Sequence, residues 1–311
     1  MVVKAGRSKG FLSSPVGREA LWAYALISPW IVGFLIWTVG PMLASLVLSF
    51  TQYNVVSPIV WRGLANYSAM FTGDPLFWQS LKVTFVYALM ALPAGLVVGL
   101  AVALLLNLNV PGLSVWRAIY YLPSVMSGVA VAVLWQYVFN PRFGVLNWVL
   151  SLIGVKGPGW LADPKWALPS LAIMSLWGAG GGMILYLSAL QSVPTALYDA
   201  AKVDGANAWH RLLYVTLPMI SPVIFFNLVM GTIGTFQYFT NAYVMTQGGP
   251  INATLFYNLY LYNNAFRYFR MGYASALAWV LFVIILLFTL LIFRSSSAWV
   301  YYEGQLRGGR A

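Results

Sequence analysis

Much of what this chain could be is excluded by what it lacks. Its 311 residues include no cysteine, one histidine and only six acidic side chains. Without cysteine there is no disulfide framework and no thiolate metal site. Charged residues make up 7%, against about 25% in an ordinary soluble domain. A water-soluble globular protein is therefore excluded, and a disordered chain with it. No G-x-x-x-x-G-K-[ST] occurs, so nucleotide cannot be held by a P-loop. H-E-x-x-H, G-x-S-x-G and Cys/His ligand spacings are missing too, which counts against a membrane enzyme. The lone His210, between Trp209 and Arg211, reads as a surface or interface residue. No catalytic residue, metal site or cofactor is expected.

What the chain does have is apolar length. Hydrophobic residues reach 61% and mean hydropathy is +0.79. Six runs are long enough to cross a bilayer as helices: Leu21–Leu48, Leu81–Leu106, Ala118–Phe139, Leu168–Leu190, Met219–Met245 and Ala274–Phe293. The first is too long for a signal peptide and has no cleavage site, so it reads as a retained span. Pro29 and Gly40-Pro41 are expected to kink or end it. The expected fold class is thus all-α and polytopic. It divides into a tail over 1–20, a six-helix membrane domain over 21–293 and a tail over 294–311.

The net charge of +11 reads as membrane-flanking charge rather than a nucleic-acid patch. Six spans put both termini on one side. With the termini inside, inner segments hold Lys4, Arg7, Lys9, Arg18, Arg117, Lys202, Arg211, Arg294, Arg307 and Arg310. Outer segments hold Arg62, Lys82, Arg142, Lys156, Lys165, Arg267 and Arg270. The basic flank before the first span favours cytoplasmic termini. Trp22, Trp61, Trp78, Trp160 and Trp166, near run ends, suit interfacial belts. All six carboxylates (Glu19, Asp74, Asp163, Asp199, Asp204 and Glu303) fall outside the runs. Ion-coupled carriers commonly need a titratable or ion-binding group at membrane depth, so this pattern lowers the case for one.

The stretch 191–218, between the fourth and fifth runs, reads as two short helices. Pro194 suits a first turn, and Leu197, Ala200 and Ala201 share a face. Gly205 can take the left-handed conformation that ends a helix. Asn207 can cap a second helix with a stripe of Trp209, Leu212 and Leu213. Two readings stay open: a pair of helices docking into a groove on a cytoplasmic partner, or an interfacial loop packed on its own protein.

Asp199-Ala200-Ala201, Gly205 and Val215-Thr216-Leu217-Pro218 resemble, in residues and spacing, the EAA loop of ABC importer permeases. Asp199 stands where that family has Glu, and Val215 where it has Ile. The likeness extends along nearly the whole chain to sugar permeases of the maltose and glycerol-3-phosphate type. It is carried by Ser49–Tyr53, Gly63–Tyr67, Asp74–Trp78, Phe143–Asn147, Trp160–Pro164 and Thr246–Pro250. The resemblance implies a type I ABC importer permease fold in a bacterial or archaeal cell membrane. It also implies a second, homologous permease as heterodimer partner, two cytoplasmic ATP-binding subunits and an extracytoplasmic solute-binding protein. Coupling to the ATPases would run through Asp199, Ala200, Ala201, Gly205, Leu217 and Pro218. The imported substrate would be a sugar or oligosaccharide, with a polyol or glycerol-3-phosphate as the alternative; a phosphate would want Arg or Lys inside a span, and none is there.

Maltose-type permeases hold sugar about midway across the membrane, and the resemblance, through the flanking motifs, implies a candidate substrate pathway at Ser124, Gly128, Gly178, Gly181, Gln237 and Tyr238. Hydroxyl and amide groups can pair with sugar hydroxyls, and a tyrosine face can stack on a sugar ring. The glycines have a second reading, as small residues that let helices pack closely.

Overall fold

The computed structural model describes residues 15–108 and 110–301. Lys4, Arg7, Lys9, Glu303, Arg307 and Arg310 lie outside the described residues, as does the side chain of Arg18. The described residues fold into helices joined by turns and loops, with one two-stranded ribbon in which β1 (Thr51–Gln52) pairs antiparallel with β2 (Val60–Trp61). The first span is α1 (Pro15–Phe34), a π turn and α2 (Gly40–Ser49). Neither expected breaker ends it: Pro29 sits inside α1. The π turn lets the Gly40 amide bond to the Leu35 carbonyl, just ahead of Pro41, which has no amide to give.

A short helix, α3 (Ala65–Gly73), lies across the start of α4 (Pro75–Leu106). The Asp74 carboxylate caps α4 by accepting from the Leu76 and Phe77 amides, at 3.0 and 3.2 Å. Pro75 fits the first turn, where no amide partner is needed. Lys82 lies about two turns into α4.

The third run is not one helix. It divides into α5 (Leu113–Val125) and α6 (Gly128–Val138), which meet at 101°. Met126 and Ser127 take extended dihedrals (φ −70°, ψ 145° and φ −59°, ψ 133°), just after Pro123 in the last turn of α5. After α7 (Val145–Leu152), the fourth run bends by 44° between α8 (Ala167–Trp177) and α9 (Gly180–Ser192), at Gly178-Ala179. The described residues thus hold four helices long and apolar enough to cross a membrane, or six spans if each bent pair counts as one.

Two short helices follow, α10 (Thr195–Val203) and α11 (Ala208–Arg211). A π turn then leads into α12 (Leu217–Phe236). The fifth run breaks at Gln237–Phe239 before α13 (Thr240–Met245). The chain continues as α14 (Tyr257–Tyr262) and α15 (Met271–Ser296).

α4 is the central rod. Along its first half Phe77, Tyr87 and Ala91 join a core with Met70, Leu171, Phe236, Tyr257 and Leu277. Along its second half Ala103 and Leu106 join a separate core with Met183, Leu190, Val193 and Ile220. Trp160, expected at an interface, is instead buried, with its indole N–H donating to Asn147 Oδ1 at 2.6 Å.

Candidate coupling helices and substrate pathway

The segment 191–218 forms the two helices that its sequence suggests. Pro194 stands one residue ahead of the expected place, as the extended residue before α10. α10 ends in a Schellman arrangement. The Gly205 amide donates to the Lys202 carbonyl at 3.0 Å, and the Ala206 amide to the Ala201 carbonyl at 2.9 Å. Gly205 sits at φ +78° with open space around its Cα, so the backbone conformation alone demands glycine there. Asn207 Oδ1 accepts from the His210 amide at 2.9 Å and caps α11.

This unit is tied to the bundle on one side. Tyr198 and Val215 pack on the core around Leu106 and Leu190, and the Tyr198 hydroxyl meets Thr216 Oγ1 at 3.1 Å. The other side is free of contacts from the described residues. Leu197, Val203, Trp209 and Tyr214 are 40%, 87%, 64% and 75% exposed. His210 is exposed as expected, with its ring stacked on Tyr214. A cavity of about 390 Å³ opens between the helices, walled by Ala201, Gly205, Arg211 and Val215 among others. Asp199 pairs with Lys202 at 2.9 Å, both largely exposed.

The six pathway candidates fall in three places. Ser124 and Gly181 face each other: a Cβ on Gly181 would lie 3.2 Å from that of Ser124. At the neighbouring Gly180 a Cβ would stand 1.9 Å from the Tyr120 carbonyl oxygen, so here glycine lets α9 approach α5. Gly128 packs on Thr240, beside the break after α12. Gly178 lines a cavity of about 380 Å³ with Tyr87, Ser175, Asn227 and Thr235.

Gln237 is exposed within that break, its carbonyl held by Asn258 Nδ2 at 3.1 Å. The Tyr238 ring is packed against Tyr87 and Phe256, with centroids 4.5 and 4.7 Å away. The ring is thus partly engaged by the aromatic core. The sequence reading missed Asn227 and Tyr87, whose relevance depends on which helices adjoin the α8–α9 bend.

At the far end of α4, Asp74 Oδ2 accepts from both the Tyr260 and Tyr273 hydroxyls. Burial, and then the bond to Asp74, push the Tyr260 phenol up to about 12. Asp-Pro before an apolar run is a legible helix start. Its tyrosine partners, from remote elements, are not.

A polytopic bundle with broken spans and an exposed helix pair outside them is the architecture of a membrane transport subunit. The chain belongs to the family of binding-protein-dependent transport system inner membrane components, which it matches over residues 95–299. It is 46% identical over 297 residues to the probable ABC transporter permease protein YesP of Bacillus subtilis, covering 94% of this chain and 96% of that one. It is 36% identical over 280 residues to the lactose transport system permease protein LacF of Rhizobium radiobacter, covering 87% and 92%. Among solved structures, it resembles a chain of the bacterial alginate ABC transporter in complex with alginate pentasaccharide-bound periplasmic protein. That match has a TM-score of 0.79 and 27% identity, and covers 90% of this chain and 95% of that one. The fold is that of a type I ABC importer permease, a non-catalytic membrane component. Such a permease works with ATP-binding and substrate-binding proteins.

Proposed function

We propose that this chain is one permease of an ATP-driven importer for a sugar or oligosaccharide. The observation that carries the coupling part of the reading is the α10–α11 unit. It is fixed to the bundle through Tyr198 and Thr216 and exposes an apolar face that nothing among the described residues covers. Asp199, Ala200, Ala201 and Gly205 form that unit, and Leu217-Pro218 join it to α12. An ATPase subunit covers this face on the cytoplasmic side, both termini lie on that side, and a second permease completes the pathway. The sugar assignment draws support from relatives named for lactose and alginate transport.

Substrate passes the α5–α6 bend and the break after α12, where Ser124 and Gln237 are exposed and can offer hydroxyl and amide groups. Gly128 and Gly181 keep these elements close, and Gly178 opens the adjoining cavity. Tyr238 supports Gln237 from the core side.

Uptake into proteoliposomes tests the reading. The complex copurified on a tag borne by this chain is supplied with its binding protein. Uptake should require ATP and survive ionophores that collapse proton and sodium gradients. Accumulation driven by an ion gradient without ATP would overturn it.

A further inference from the structure

A further cavity lies away from both regions above. It measures about 850 Å³, within the roughly 300–1,000 Å³ usual for small-molecule sites. It sits beside the start of α4, roughly 20 Å along that helix from Tyr87 and the α8–α9 bend. Its walls come from the ribbon, α3, α14 and the turn before α15, and include Tyr53, Asn54, Asp74, Tyr268 and Arg270. Aromatic rings beside amides, a carboxylate and a guanidinium are the chemistry that holds a sugar ring on its C–H face and its hydroxyls.

Asp74 is already engaged, taking two backbone amides and two tyrosine hydroxyls. Arg270 differs. Among the described residues no carboxylate pairs with its guanidinium, whose fork of donors stays available at this exposed wall residue. A second guanidinium stands close by, because Arg62 Nε donates at 3.0 Å to Gln52, another wall residue.

The backbone is bent to make this arrangement. Phe269 lies at φ +54°, where a large side chain is strained. The Tyr268 and Arg270 amides on either side are tied to the carbonyls of buried Asn263 and Asn264, at 2.9 and 2.8 Å. The kink sets Tyr268 and Arg270 on one wall.

We infer that this cavity is an outer vestibule for a carboxylate-bearing saccharide unit, with Arg270 on the carboxylate and Tyr53 and Tyr268 against the ring. The inference rests on the sugar-import reading above and adds to it a second, anionic subsite apart from the α8–α9 bend. Arg270 accepts the carboxylate through charge-assisted hydrogen bonds.

The test uses the copurified complex in nanodiscs, without binding protein, titrated calorimetrically with a galacturonate trimer and with maltotriose. The galacturonate trimer should bind saturably, and maltotriose about tenfold or more weaker. Arg270→Gln should lower affinity for the acidic trimer by about tenfold or more, the size of a lost charge-assisted bond. Arg270→Lys, which keeps the charge but loses the fork, should fall between. Arg142→Gln, an exposed charge outside the cavity, should change nothing. No saturable binding, or equal affinity in Arg270→Gln, would overturn the vestibule.

So would a Gln variant that binds the trimer normally but captures less sugar-free binding protein, since Arg270 would then be a docking contact. ATP-driven uptake by the wild type, run in parallel, separates the two readings. Uptake with an indifferent Arg270 sinks the vestibule alone. Arg270-dependent binding without ATP-driven uptake sinks the import reading alone.

Discussion

The two ends of α4 are held in opposite ways. At its start, bonds join segments far apart in sequence. Asp74 meets Tyr260 and Tyr273, the Tyr257 amide donates to Thr84 Oγ1 at 2.9 Å, and the Tyr257 hydroxyl donates to the Leu277 carbonyl at 2.9 Å. Near its other end, the α10–α11 unit is shaped by local devices: the Gly205 turn, the Asn207 cap and the Lys202–Asp199 pair. Tyr198–Thr216 spans a longer interval there. Long-range ties make a region open only with the whole fold, whereas locally capped, exposed elements can shift at small cost. One end is scaffold; the other can move as a unit against a partner.

The largest expected effect breaks the scaffold. Asp74→Ala removes a helix cap and both tyrosine bonds, and should cost about 3 kcal/mol. Asp74→Asn keeps an acceptor for the cap and should cost about half as much. Thermal unfolding followed by intrinsic tryptophan fluorescence measures both, and equal stability of Asp74→Ala and wild type would dissolve the contrast.

Gly205→Val should cost about 2 kcal/mol, since a β-branched residue is strained at φ +78°. Its sharper signature is functional: expression and membrane insertion persist while ATP hydrolysis no longer drives uptake. Wild-type uptake by this variant would show that the shape of the turn is immaterial.

Asn207→Ala should cost about 1 kcal/mol, the usual worth of a cap. It should raise amide exchange within α11 while leaving α14 unchanged. Exchange spreading to α14 would mean that the two ends are not independent.

Lys202→Ala should cost no more than about 0.5 kcal/mol, because the pair is exposed and screened. A larger loss would mean that this pair holds α10 in place.

The same contrast explains what could be read from sequence. Local features were legible. Gly205 and Asn207 take their expected conformations because a cap or a left-handed turn is decided within about five residues. The apolar runs locate the spans because burial in a bilayer is a matter of length and composition.

The 101° turn between α5 and α6 was not legible. Pro123 and Gly128 each permit a break, but neither they nor Ser124, Val125, Met126 and Ser127 between them set its angle. Tyr238 shows the limit for sites. Its residue type suits sugar, but its packing on Tyr87 and Phe256, which arrive from other parts of the chain, is not written in its local sequence. Arg270 drew notice only as a flanking charge, because the cavity it lines is assembled from elements some 200 residues apart.

The π turn at Leu212–Thr216 has a mechanical consequence. It joins α11 to α12 without interrupting the helical backbone. From Ala208 to Phe236 the chain is a single strut about 44 Å long. Pivoted near its membrane entry at Leu217-Pro218, such a strut is a lever of unequal arms. The short arm carries Trp209, and the long arm ends at Gln237. A tilt of about 5° moves the far tip by roughly 2–3 Å, about the length of a hydrogen bond. If an ATPase subunit covers α11, as proposed above, a small push there would be geared up at Gln237.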